Sequence, residues 1–189
     1  MGEQLLEENS GNPKGHYENI DIMEFNDMIF KIAGGSWKIP PARKKIKAVY
    51  LPPKNIKKFL LTHVKPFWGI KDPRMMITFD FWKSHLENVS DVTYVFVHRP
   101  FKESVKSLAH RDNITEKDAR MILKPYLKNK KHFRKMLVAN QADIIDVHFH
   151  ELLNNPRSFV AEINSKIGKK PNEGIESVRT FLDKSLKKY

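Results

Sequence analysis

Two cationic residues and a hydroxyl at fixed offsets are the part of this chain best suited to chemistry. Lys71 follows the apolar run Phe67 to Ile70, Arg99 follows the run Val92 to Val97, and Ser107 stands one long helical stretch beyond Arg99. If both runs are neighbouring buried strands, the two cations open on the carboxyl edge of a parallel sheet. Open α/β sheets bind phosphorylated ligands there. An arginine offers planar paired donors that match a phosphate, and a nearby hydroxyl adds a neutral hydrogen bond. Lys71 could neutralise a leaving phosphate oxygen, and Arg74 could hold a second anion. Plainer alternatives stand beside these roles. Arg99 could pair with Glu103 across one helical turn, leaving Ser104 and Ser107 exposed, and Asp72 with Arg74 could form a local salt bridge that orders a turn.

The elements that must position these groups follow from periodicity and punctuation. Residues 1–19 read as a polar, irregular lead-in in which Ser10, Gly11, Asn12, Pro13 and Gly15 favour turns. Asp21 is placed to cap a helix reaching Ala33, with Ile22, Phe25, Ile29 and Ile32 or Ala33 as its apolar face. Gly34-Gly35 ends that helix, and the proline-rich basic stretch Trp37 to Pro53 reads as a surface loop. Asn55 to Val64 and Met75 to Leu86 read as helices, the second burying Phe79, Trp82 and Leu86. Val92 to Val97 is the clearest strand, of the fully buried type.

Pro100 opens a further helix carrying Phe101, Val105, Leu108 and Ala109 inward. Thr115 caps a long helical stretch to Asn140, with a break or bend expected at Pro125. Ile144 to Phe149 is a third strand, and Pro156 to Ile167 and Gly174 to Leu186 close the chain as helices. Strands alternating with helices predict a single α/β domain with a parallel sheet in a three-layer arrangement.

Composition limits the partners. The 189 residues contain 40% apolar and 30% charged residues, ordinary for a globular domain. There is no cysteine, so disulfides, thiolate metal sites and cysteine nucleophiles are excluded. No apolar run approaches the roughly 20 residues needed to span a bilayer, and no signal-peptide core is read at the amino terminus. A cytoplasmic protein without a membrane partner is the expectation. Lys plus Arg number 34 against 22 Asp plus Glu, and the net charge of +12 attracts anions. His148 and His150 would share a strand face, but no supporting carboxylate or cysteine suggests a metal. The basic run Lys128 to Lys135 would suit nucleic-acid phosphates on charge alone. No helix-turn-helix, RNA-binding sheet or zinc signature accompanies it, so nucleic acid ranks second to a nucleotide.

The ordered set Asn12-Pro13-Lys14-Gly15-His16-Tyr17-Glu18-Asn19, Gly34-Gly35-Ser36-Trp37 with Pro40-Pro41, Trp68-Gly69-Ile70-Lys71-Asp72-Pro73-Arg74 and His98-Arg99-Pro100 through Ser107-Leu108 resembles the sulfotransferase family. It is most similar to the bacterial-type branch, and Tyr126, Ile144 to Phe149, Glu151-Leu152-Leu153 and Asn155-Pro156 extend the resemblance over nearly the whole chain. The resemblance implies a P-loop-type fold. It also implies transfer of a sulfuryl group from 3′-phosphoadenosine 5′-phosphosulfate (PAPS) to a hydroxyl or amine on a small-molecule or glycan acceptor, without a metal.

By the same resemblance, Arg99 and Ser107 bind the 3′-phosphate of the donor, with Tyr126 in the same set. Lys71 lies near the bridging oxygen of the donor, Glu18 or His16 serves as base, and Arg74 and Trp37 face the acceptor. The family also carries an amino-terminal strand, a Ser-Gly-Thr type loop and a helix that cradle the phosphosulfate. No Ser-Gly-Thr or Gly-x-x-x-x-Gly-Lys-Ser/Thr sequence occurs here, and Met1 to Leu6 resembles the stretch after that helix. The implied domain therefore lacks this unit, with impaired activity or a non-catalytic anion-binding role as alternatives. A second copy of the chain is a candidate to complete the sheet.

Overall fold

In the computed structural model, residues 4–8 and 14–182 are described. The turn formers Ser10 to Pro13 and the expected helix end at Leu186 lie outside them. The described chain is α/β and mostly helical. In order it forms α1 (Ile20–Ile32), α2 (Arg43–Lys47), α3 (Pro53–Leu61), α4 (Met75–Glu87), β1 (Tyr94–His98), α5 (Phe101–Asp112), α6 (Glu116–Ala139), β2 (Ile144–His148), α7 (Phe149–Asn154), α8 (Arg157–Lys166) and α9 (Ile175–Phe181).

Local chemistry sets the helix ends. Asn19, rather than Asp21, caps α1 by accepting the Ile22 amide at 3.0 Å. An Asn can be held extended at this position, whereas Asp21 already lies inside the first turn, where its charge suits the helix dipole. Ile22, Ile29 and Ala33 are buried and Phe25 packs on the core, as expected, while Asn26 and Phe30 are buried in addition and Ile32 is exposed. The region after Gly35 is not all loop, since α2 buries Ile46 there. Thr115 caps α6 as expected. Pro125 does not interrupt that helix, which runs 24 residues without a break. The ring supplies no N–H to the Met121 carbonyl, and packing of Ile122 and Phe133 on either side outweighs this loss.

Two strands form the sheet, paired in parallel with Tyr94 opposite Ile144 and His98 opposite His148. The expected strand at Phe67 to Ile70 is irregular backbone instead. Trp68 and Ile70 pack against the main core from this loop, and the Trp68 indole donates to Ser90 Oγ at 2.8 Å. A short apolar run fits a wall as well as a strand, and here the wall prevails. Phe149 and His150 also leave the strand for α7, so His148 and His150 do not share a strand face. His148 stacks on His98 at 5.1 Å, whereas His150 Nε2 lies 3.0 Å from Glu103 Oε1.

One sheet face carries Phe96 against Phe79, Phe133 and Leu137 of α4 and α6. On the other face Ile145 and Val147 are buried, but Val95 and Val97 of β1 are 44% and 51% exposed. β1 is thus not of the fully buried type. The Tyr94 amide bonds to Asp143 across the pair, so alternation turns the Val95 and Val97 backbone groups to the outer edge. The Lys130 ammonium of α6 donates to the Val97 carbonyl there, and burial holds its pKa below the ordinary lysine value.

The main core joins α1, α3 and α4 around Phe30, Ile56, Leu60, Ile77 and Trp82. A second cluster joins α5 to α6 through Val105, Leu108, Ala119 and Ile122, with Trp37 and Tyr126 shared between the two. Gly35 lets the chain fold back after α1. A Cβ there would meet the Ile39 carbonyl oxygen at 2.5 Å and Pro41 Cγ at 2.7 Å. Gly35→Ala should therefore destabilise the protein by about 1–3 kcal/mol, lowering Tm by several degrees in a thermal melt. Gly69→Ala, with nothing within 4 Å of its added carbon, should shift Tm far less. Equal shifts would refute this account.

Candidate functional site

The segment before α1 carries the first two candidate residues. Gln4 to Leu6 run antiparallel to His16–Ile20, with Leu6 N–H donating to the Glu18 carbonyl at 2.8 Å and Ile20 N–H to Gln4 at 2.9 Å. The lead-in is therefore partly ordered as a short ladder rather than irregular. Tyr17 sits at φ 52°, a left-handed conformation uncommon for a bulky residue. The turn leaves Tyr17 exposed and Glu18 only 5% exposed.

Glu18 meets two cations. Lys71 Nζ donates to its Oε1 at 2.7 Å and also to the His16 carbonyl at 2.8 Å. Arg74 Nη1 reaches Oε2 at 3.3 Å. Arg74 then continues the network, with Nη1 on Asp72 Oδ1 at 3.1 Å and Nε on Asp27 Oδ1 at 2.8 Å. Asp72 also accepts the Arg74 amide and the Asn26 side-chain amide, each at 2.9 Å. Asn26 Oδ1 in turn accepts Thr78 Oγ1 at 2.7 Å and Trp82 Nε1 at 2.8 Å. Burial pushes the Asp72 carboxyl above its ordinary pKa, opposed by the Arg74 charge and these hydrogen bonds. The local Asp72–Arg74 salt bridge thus forms, within a larger network that sequence reasoning did not reach.

The second half of the site comes from β1 and α5. Arg99 extends from the end of β1, with Nε 3.4 Å from Glu103 Oε2 and its guanidinium 5.0 Å from the Phe149 ring centre. The i,i+4 pairing with Glu103 is therefore present. Arg99, Ser104, Ser107 and Arg111 nevertheless line one cleft of ≈ 500 Å³, together with His16, Glu18 and Arg74. Trp37 and Tyr126 form its wall. Ser107 makes no side-chain hydrogen bond among the described residues, and Ser104 has only a 3.5 Å contact to the Pro100 carbonyl.

The Tyr126 hydroxyl donates to the Trp37 carbonyl at 2.9 Å, and burial raises its pKa, so it stays protonated. Burial lowers the His16 pKa below 6.5, with Glu18 pulling it back up, so the imidazole is neutral at pH 7. Lys71 touches the site through Glu18 but does not close a strand.

His16, Glu18, Trp37, Arg74, Arg99, Ser107 and Tyr126 thus line one cleft, with Lys71 attached through Glu18, but their freedom is unequal. Arg74 is held by three carboxylates, whereas Arg99 has one long ion pair. Arg111 was not anticipated, although Ser104, Ser107 and Arg111 follow the i, i+3, i+7 spacing of one helix face. It lies 6.0 Å from the Trp37 ring and bonds Asp112 at 2.7 Å. Among the described residues, no group of three His, Cys, Asp or Glu side chains is placed to hold a metal. No described helix is long and apolar enough to cross a membrane.

Two measurements test the electrostatics. Glu18→Gln should lose roughly 1–3 kcal/mol of stability, because the buried negative charge shared by two cations is removed and one acceptor oxygen becomes a donor. Lys71→Met, altering a half-exposed group, should lose less. In a proton NMR titration His16 should show a midpoint below 6.5, moving further down in Glu18→Gln because the anion that favours imidazolium is gone. An upward move would refute the assigned causes.

In comparisons with known proteins, no family model, curated protein or solved structure matches this chain.

Proposed function

We propose that the cleft between the Glu18 segment and α5 binds a 3′-phosphorylated adenosine nucleotide, and that the chain is a sulfotransferase-like protein using PAPS as donor. The finer fold in this reading is a three-layer P-loop-type domain. The observation that carries it is the convergence of Arg99 and Ser107, from consecutive elements, on one cleft with His16 and Glu18. A guanidinium and an uncommitted hydroxyl suit a phosphate, and the Trp37 and Tyr126 walls suit an adenine or an apolar acceptor.

In this reading the acceptor hydroxyl or amine attacks sulfur as the bond from sulfur to the bridging phosphate oxygen breaks. The acceptor proton passes to a base. His16, neutral at pH 7, fits that role better than Glu18, whose two oxygens are committed to Lys71 and Arg74. Glu18 then positions Lys71, whose ammonium offsets charge on the leaving oxygen. Arg74 acts as a structural cation more than an acceptor ligand.

A second reading is favoured by the same saturation of Lys71 and Arg74. With those cations neutralised by Glu18, Asp72 and Asp27, the cleft would keep only the 3′-phosphate half-site and bind nucleotide without turnover.

Calorimetric titration with 3′,5′-adenosine bisphosphate tests both readings. Binding is expected, with adenosine 5′-monophosphate weaker by at least about 10-fold for want of the 3′-phosphate. Arg99→Ala should cost about 10- to 100-fold in affinity, the worth of a charge-assisted hydrogen bond. No heat at millimolar nucleotide, or an unchanged affinity in Arg99→Ala, would overturn both. Release of adenosine bisphosphate from PAPS in the presence of hydroxyl or amine acceptors then separates the enzyme from the non-catalytic binder.

A further inference from the structure

The face of α6 turned away from the core has an unusual charge pattern. From Asp118 to Asp143 the sequence contains no other acidic residue. Lys117, Arg120, Lys124, Lys128, Lys131 and Lys135 are all exposed, and each follows the last by three or four residues. At 3.6 residues per turn these positions fall within an arc of about 80°, opposite the buried Ile122, Phe133 and Leu137. They form one straight row about 27 Å long at 1.5 Å per residue.

Surface helices usually relieve such charge with acidic partners at i+3 or i+4, and like charges at that spacing repel. Here, among the described residues, none of the five lysines in the row has an ion pair or a side-chain hydrogen bond. The Arg120 guanidinium rests over the Phe101 ring at 5.8 Å. The neighbouring cations are treated differently. Arg134, one step off the row, is paired with Asp146, Lys130 is bonded to the Val97 carbonyl, and Arg43 is paired with Asp80. Pairing is thus withheld from one continuous line and supplied around it.

We propose that this row is a docking surface for a linear acidic polysaccharide, bearing sulfate or carboxylate groups at intervals the lysines can follow. A narrow line of point charges suits an extended chain of separate anions. No aromatic side chain occupies the row to stack a base, and only one arginine offers the paired donors that read base edges, which argues against nucleic acid. The middle of the row, from Lys124 to Lys131, carries no exposed large apolar side chain to enter a bilayer, which argues against an anionic membrane. This surface is separate from the cleft, and its occupancy does not depend on what the cleft binds.

The test uses heparin oligosaccharides long enough to span the row, titrated at physiological salt against two triple variants of equal charge change. Lys124→Glu/Lys128→Glu/Lys131→Glu should weaken binding by at least about 10-fold and flatten the salt dependence. Lys54→Glu/Lys57→Glu/Lys58→Glu, on the exposed face of α3, should stay within about 3-fold of wild type by the same measure. Circular dichroism checks that both variants retain their helices. Similar losses in the two variants would mean that only net charge matters, and would overturn the proposal. So would undetectable heparin binding by the wild type, or tighter binding to single-stranded RNA or to vesicles of anionic lipid.

Discussion

The Arg74 guanidinium is the counter-charge on which the arrangement depends. Asp72 and Glu18 are withdrawn from water, and burying a carboxylate without a partner is costly. Arg74 touches both, and through Asp72 it reaches Asn26, Thr78 and Trp82 at the centre of the main core. One planar cation thereby couples the amino-terminal ladder, the loop before α4, and α1. The same coupling explains why Glu18 lies at the cleft floor. Its position is set by a buried network rather than by the short, exposed turn that carries it.

Much of this was legible in the sequence. Helix limits marked by Thr115, Pro100 and Gly34-Gly35 follow from capping and backbone chemistry, and those elements lie within a few residues of the expected bounds. The gathering of His16, Glu18, Arg99 and Ser107 was also readable from motif order. Two features were not. Phe67 to Ile70 has strand-like composition, yet Trp68 and Ile70 serve as an irregular wall, and periodicity over four residues cannot separate these outcomes. The other is Asn26, a polar residue fully buried in α1. Its role emerges only when Asp72 and Trp82, distant in the chain, arrive beside it.

Helix α6 serves three regions at once. Phe133 and Leu137 support the sheet, Ile122 and Tyr126 bound the cleft, and the opposite side presents unneutralised charge to solvent. Its continuity through Pro125 matters for that reason, because a break there would misalign all three. The lost backbone hydrogen bond is a local cost, while the apolar contacts on either side act over the whole 24-residue length.

The lysine at the outer border of β1 bears on how the sheet responds to newcomers. An approaching segment finds the Val97 carbonyl already engaged, and must strip a partly dehydrated ammonium from it before the ladder can lengthen. Any strand added there must therefore give back part of what its own N–H gains at that carbonyl. A segment bringing its own carboxylate would give the displaced ammonium somewhere to go. The border is therefore blunted at one carbonyl by a charge that has few other places to go.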